Sequence, residues 1–208
     1  MRFWTLFLIL CCLCANTAFA RSLTFTAGET AVAKGGGIEY AQRSGQVEWA
    51  AFAYLNGNVN EGKALLSADP TSWCRVMAGP IVGLQYQDTL GARLYGGAEA
   101  KVLPHFGKEH LTIKAATRHR GSTRFHHLVV VNWMHDWSPS ISAGPVYQPI
   151  LRSDHSLPWD HRFGVQVNYS QNSHFTLMSE VRMSTGSADA SYGVYHRVSG
   201  HIELAFKF

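Results

Sequence analysis

The sequence predicts an all-β protein: a closed antiparallel transmembrane β-barrel of eight to ten strands, ten being favoured. Three observations carry this. From Tyr192 to Phe208 the residues alternate. Tyr192, Val194, Val198, Ile202, Leu204, Phe206 and Phe208 share one face, and Arg197, His201, Glu203 and Lys207 share the other. A period of two marks a strand with two unlike environments. The same alternation recurs along the chain. Finally, no segment after the first twenty residues approaches the roughly 20 apolar residues a membrane-crossing helix needs, so a membrane form must be a closed barrel.

Taken in order, Met1 and Arg2 precede the apolar run Phe3 to Leu13, and Ala18-Phe19-Ala20 supplies small residues for cleavage. Residues 1–20 therefore read as a secretory signal peptide and 21–208 as the barrel. Of four cysteines, Cys11, Cys12 and Cys14 leave with the signal and Cys74 stays. The mature chain then has no intramolecular disulfide. The formal charge of +4 is mildly basic. No Pro/Gly/Ser linker divides the chain, which suits one domain.

Leu23, Phe25 and Ala27 open a first strand, Ile38 to Tyr40 lie in a second, and Val47 to Leu55 make a third. In Cys74 to Tyr86, Val76, Ala78, Pro80, Val82, Leu84 and Tyr86 share a face, although Met77 and Ile81 lie on the other. In Gly91 to Val102, Leu94, Ala98, Ala100 and Val102 oppose Arg93, Tyr95, Glu99 and Lys101. Phe125 to Met134 alternates poorly. Phe163, Val165, Val167 and Tyr169 oppose Arg162, Gln166 and Asn168, and Phe175, Leu177, Val181 and Met183 oppose Thr176, Glu180 and Arg182. Two Ala-Gly-Pro triplets, at Ala78 and Ala143, suggest bulges, because proline cannot donate to a ladder.

Short connections at Gln42 to Gly45, Gln87 to Thr89, His135 to Ser138 and Ser170 to Ser173 alternate with long ones. The long ones are Asn56 to Ser72, Pro104 to Thr123, Leu151 to Asp160 and Ser184 to Ser191. Outer-membrane barrels have short periplasmic turns and long external loops. This arrangement gives ten strands with both termini periplasmic, and Leu111 to Arg118 falls in a loop. Eight strands follow instead if the first hairpin or Phe125 to Met134 does not belong to the wall.

The segments Val76-Met77-Ala78-Gly79-Pro80 and Leu94-Tyr95-Gly96-Gly97-Ala98 resemble the central hairpin of the Ail/Lom (attachment-invasion-locus) family of outer-membrane barrels. Phe163 to Val167 with Phe206-Lys207-Phe208 resembles that family's last hairpin, and Gly37 to Tyr54 loosely an early one. About half the mature chain is covered. Pro104 to Ile150 exceeds the family's eight-stranded pattern. The resemblance implies a bacterial outer-membrane protein of Gram-negative cells. It implies adhesion or host-defence resistance through external loops, and no catalytic residues.

Three constellations stand out. Lys108, Lys114, Arg118, Arg120 and Arg124, with one acid, Glu109, form a basic stretch suited to a polyanion such as a host glycan or lipopolysaccharide phosphate. Partners are thus outer-membrane lipid and lipopolysaccharide, with host surface glycans or proteins outside. Nucleic acid is excluded because the patch faces away from the cell, and the chain is expected to be a monomer. The alternating charges Arg93, Glu99, Lys101, Glu180, Arg182, Arg197 and Glu203 form an interior ion network, since enclosed charges must be paired or hydrated. Asp154-His155 and Asp160-His161 offer the alternative, an omptin-like or lipid-modifying hydrolase in which a carboxylate orients an imidazole base. Asp69 and Glu61 are the nearest candidates for its second carboxylate pair. His196 and Ser199, three apart, fall on opposite strand faces and cannot act together. The same holds for His126-His127 as a metal pair. No cofactor or metal is expected.

Overall fold

The computed structural model describes residues 20–29, 34–54, 59–87, 91–120, 124–152, 159–185 and 196–208. The segment expected as a signal peptide falls outside them, except for Ala20, which opens β1. Twelve strands run in chain order: β1 (Ala20–Glu29), β2 (Lys34–Ser44), β3 (Val47–Tyr54), β4 (Val59–Thr71), β5 (Cys74–Gln87), β6 (Gly91–Phe106), β7 (Glu109–Arg120), β8 (Arg124–Ser138), β9 (Ile141–Arg152), β10 (Trp159–Asn172), β11 (Phe175–Thr185) and β12 (His196–Lys207). Each pairs antiparallel with its neighbours, and β1 closes on β12. Closure leaves no open edge.

The expected count of eight to ten is corrected to twelve. Two strands stood hidden in segments read as loops. The first is β4. Its outward residues Gly62, Ala64, Leu66 and Ala68 include one large apolar side chain, too few to make an apolar stripe, and its turn, Ser72-Trp73, has no glycine, asparagine or proline. The second is β7, joined to β6 by a two-residue turn at Gly107-Lys108. Gly107 has φ 62, a backbone only glycine adopts freely, and so a tight hairpin forms where a long loop was expected. Each omission reversed the chain direction once, so the count stayed even. The cost fell on β5 and β6, which were read upside down. The connection after Gln87 lies at the barrel end opposite the termini.

Five two-residue turns, at 45–46, 72–73, 107–108, 139–140 and 173–174, lie at the end that holds Ala20 and Phe208. The other connections belong to the opposite end and fall outside the described residues. The turn at His135 to Ser138 is corrected: these residues finish β8, and Pro139-Ser140 turn.

The bulges expected at the two Ala-Gly-Pro triplets are absent in register. Pairing runs Lys63↔Ile81 and then Leu66↔Ala78, and likewise Asn132↔Val146 and then His135↔Ala143, with no shift. What the triplets do is let strands crowd. A Cβ on Gly79 would sit 1.8 Å from the Ala64 carbonyl oxygen, and one on Gly144 1.7 Å from that of Trp133. The register shifts lie near the turns instead, at Ala68/Thr71, Asp136/Ser138 and Ser170/Asn172.

The two faces are chemically distinct. Val165, Val181, Val198, Ile202, Leu94 and Val82 are exposed on the outside. Glu99, Arg118, Arg162, Glu180, Arg182 and His201 are buried on the inside. Trp49, Trp73, Phe106, Trp133, Trp137 and Phe206 form an exposed aromatic girdle near the turns. This is the pattern of a wall with lipid outside, polar groups inside and aromatics at the interface. Barrels of eight strands fill with side chains and those of sixteen enclose a channel. Twelve falls between.

Candidate functional site: the charged lumen

The lumen carries two ion networks on opposite sides of the wall. The first joins β2, β3, β4, β6 and β7. Glu61 receives Arg118 through Nε and Nη2, at 2.7 and 2.9 Å, and the Tyr95 hydroxyl at 2.8 Å. Tyr95 reaches Glu61 by lying across Gly83, whose added Cβ would meet its ring at 2.2 Å. Lys63 sits 3.7 Å from Glu39 and 3.5 Å from Glu99. Lys101 lies 3.3 Å from Glu99 and 3.9 Å from Glu48. Lys114 stands opposite Lys101 in the ladder.

The second network joins β9 to β12. Arg182 contacts Glu180 and Gln148, and its Nη2 lies 3.2 Å from His201 Nδ1. His201 Nε2 approaches Glu203 at 3.3 Å. Arg182 runs along the wall over Gly164, where a Cβ would touch its Cγ at 2.9 Å. Arg162 donates from Nε to Asp160 at 3.0 Å. Between the networks Asn132 donates to Gln166 at 2.6 Å, and Gln166 to Asn168 at 2.8 Å.

Arg118 and Arg162 are both buried, and each has a terminal Nη1 with no partner among the described residues. Buried donors are nearly always satisfied, so each guanidinium has a hydrogen bond left to give.

At the turn end, His110 Nε2 meets Asp136 at 2.6 Å and His110 Nδ1 meets His105 Nδ1 at 2.9 Å. Arg75 clasps Asp69 at 2.7 Å and holds that carboxyl below its usual range. On the outer rim Glu109 accepts from Trp133 at 2.6 Å and lies 2.5 Å from His135. These two bonds, His135 first, lower its carboxyl likewise.

Of the expected interior network, Glu99, Lys101, Glu180, Arg182 and Glu203 face the lumen and pair as above. The side chains of Arg93 and Arg197 lie outside the description. Sequence reasoning missed Glu39, Glu48, Glu61, Lys63 and Asp160 as network members, most of them on β2 to β4.

The expected basic external loop is not one loop. Lys108 lies in the turn beside the termini, at the other end of the barrel from Arg120 and Arg124. Lys114 and Arg118 belong to β7 and face the lumen. Arg120 and Arg124 oppose each other at the far end of β7 and β8, their side chains outside the description.

For the hydrolase alternative, Asp154 and His155 lie outside the described residues. Asp160 and His161 point to opposite faces: Asp160 bonds Arg162 inside, while His161 bonds and stacks on Tyr147 outside. Asp69 sits at the turn end and Glu61 is bound to Arg118. His126 and His127 likewise part, His126 buried and His127 against His119.

A closed barrel with an apolar outer belt, an aromatic girdle and an ionic lumen is an integral outer-membrane β-barrel protein. No protein-family model and no curated protein sequence matches the chain. Among solved structures it is similar to the KdgM porin, with TM-score 0.61 and 8% identity over 91% of this chain and 99% of that one. It is also similar to the NanC porin, with TM-score 0.60 and 10% identity over 92% of this chain and 100% of that one. A KdgM porin in complex with disordered oligogalacturonate gives TM-score 0.59 at 8% identity, over 91% of this chain and 99% of that one. At such identities the likeness is one of fold. It shares the coarse content of the Ail/Lom resemblance, an outer-membrane barrel.

Proposed function

We propose that this protein is an outer-membrane channel that admits small anionic solutes, acidic oligosaccharides among them. The observation that carries this reading is the pair of buried lumen guanidiniums, Arg118 and Arg162, each fixed by a carboxylate and each with an Nη1 to give. Arginine in a fixed fork favours planar carboxylate, sulfate or phosphate groups. The register supports it further. Arg93, Arg120, Arg124, Arg152 and Arg197 all lie towards the end away from the termini. Fixed cations on a channel wall raise the local concentration of anions.

The polyanion expected from the basic stretch thereby moves from the cell surface to the lumen. Adhesion or host-defence resistance would rest on the external connections. Of the basic stretch, Lys114 and Arg118 line the lumen instead, which favours passage over attachment. Lipid and lipopolysaccharide are the proposed partners of the outer wall.

The test is solute entry into proteoliposomes. Oligogalacturonates of two to six units should enter faster than neutral oligosaccharides of equal length. Equal or slower entry would overturn the reading.

A further inference from the structure

We propose that His105 and His110 form a binding site for a divalent transition metal, Cu2+ foremost, at the turn-end mouth of the lumen. The hairpin makes the site. Gly107, with φ 62, folds the chain so tightly that His105 and His110 become direct partners across β6 and β7. Directly opposed residues hold their Cβ atoms roughly 4.5–5.5 Å apart, within bridging reach of two imidazoles. The rings stack with centroids 4.5 Å apart, and their Nδ1 atoms converge to 2.9 Å.

Asp136 sets the chemistry of the pair. Its Oδ2 lies 2.6 Å from His110 Nε2, so the carboxylate takes that N–H and leaves His110 Nδ1 as a lone pair. A carboxylate behind the distal ring nitrogen is the usual support of a metal-binding histidine, fixing its tautomer and raising its basicity. That lone pair faces His105 Nδ1, so a proton or a metal ion must lie between the two.

The spacing selects the metal. Two bonds of about 2.0–2.1 Å meeting at a right angle place their nitrogens about 2.9 Å apart, while a tetrahedral angle would need about 3.4 Å. The observed 2.9 Å therefore suits adjacent corners of a square or octahedron. Tetragonal nitrogen and oxygen sites favour Cu2+ or Ni2+ over tetrahedral Zn2+, and Cu2+ binds tightest in the divalent series. Among the described residues no three His, Cys, Asp or Glu side chains are grouped to hold a metal. The site thus offers two protein ligands, and water completes the shell. Both histidines line a cavity of about 450 Å³ with Asp69, Arg75 and Thr112, which gives room for that water.

The test uses the mature barrel, without an affinity tag, folded in detergent and titrated with Cu2+ alone. Binding is read by calorimetry and by electron paramagnetic resonance. The expectation is one saturable site whose spectrum reports two nitrogen donors. His105→Ala and His110→Ala should each weaken it at least tenfold, and the double variant should abolish it. Asp136→Asn should weaken it about 10- to 100-fold. All variants should keep the heat-dependent gel shift of a folded barrel, because the three side chains sit at the rim. Zn2+ should bind more weakly than Cu2+. Cu2+ binding that survives in the double variant, no site in the parent protein, or tighter Zn2+ than Cu2+ binding would each overturn the proposal.

Discussion

Arg118 on β7 is held by Glu61 on β4 through two parallel bonds, Nε to Oε2 at 2.7 Å and Nη2 to Oε1 at 2.9 Å. The contact passes over β5 and β6, and Tyr95, lying across Gly83, joins it at Glu61. The pair ties four strands together from inside the wall.

Removing one partner leaves a buried charge alone. Glu61→Ala should destabilise the barrel by about 3–5 kcal/mol. Glu61→Leu with Arg118→Met should recover most of that loss, since an apolar pair strands no charge. Urea unfolding in detergent micelles, followed by tryptophan fluorescence, checks this. Equal stability of Glu61→Ala and the parent would refute the role of the pair.

Both residues of that pair lay in segments read from the sequence as loops, and the reason is physical. On β7 the alternation is present: Leu111, Ile113 and Ala115 outside, Thr112, Lys114 and Arg118 inside. The basic residues drew attention as a patch and hid the period of two. On β4 the outside is mostly glycine and alanine, which give no apolar signal. The terminal strand and β10 to β11 were legible because their outer faces hold Val, Phe, Met and Ile. On those strands and β6, Glu99, Lys101, Glu180, Arg182 and Glu203 face the lumen. The charges of β4 and β7 had no strand to stand on, and Asp160 was weighed as a catalytic group.

Gly79→Ala and Gly144→Ala should each hinder folding. The new methyl would meet a backbone carbonyl at 1.8 or 1.7 Å, and backbone cannot step aside as a side chain does. A cost of about 1–3 kcal/mol or more is expected from overpacking. Gly96→Ala is the control, since nothing lies within 4 Å of its added Cβ. The fraction folded on unheated gels separates them.

The assignment of faces is open to a charge scan. Val165→Arg, on the outer face within β10, should cost about 2–4 kcal/mol in vesicles, falling to about 0–1 kcal/mol at the interface, as for Trp137→Arg. Trp137 is 70% exposed at the turn rim, and Val165 55% exposed along the wall. Refolding into lipid vesicles across a urea series gives the difference. Equal costs at the two sites would place the bilayer elsewhere.

The most direct measurement of the central claim is the reversal potential of single barrels in a planar bilayer under a potassium chloride gradient. A lumen with two unspent guanidiniums, on Arg118 and Arg162, predicts a channel that prefers chloride. Arg162→Gln together with Arg118→Gln should move the potential towards potassium. A cation-selective channel, or a barrel that passes no current when folded, would contradict the account.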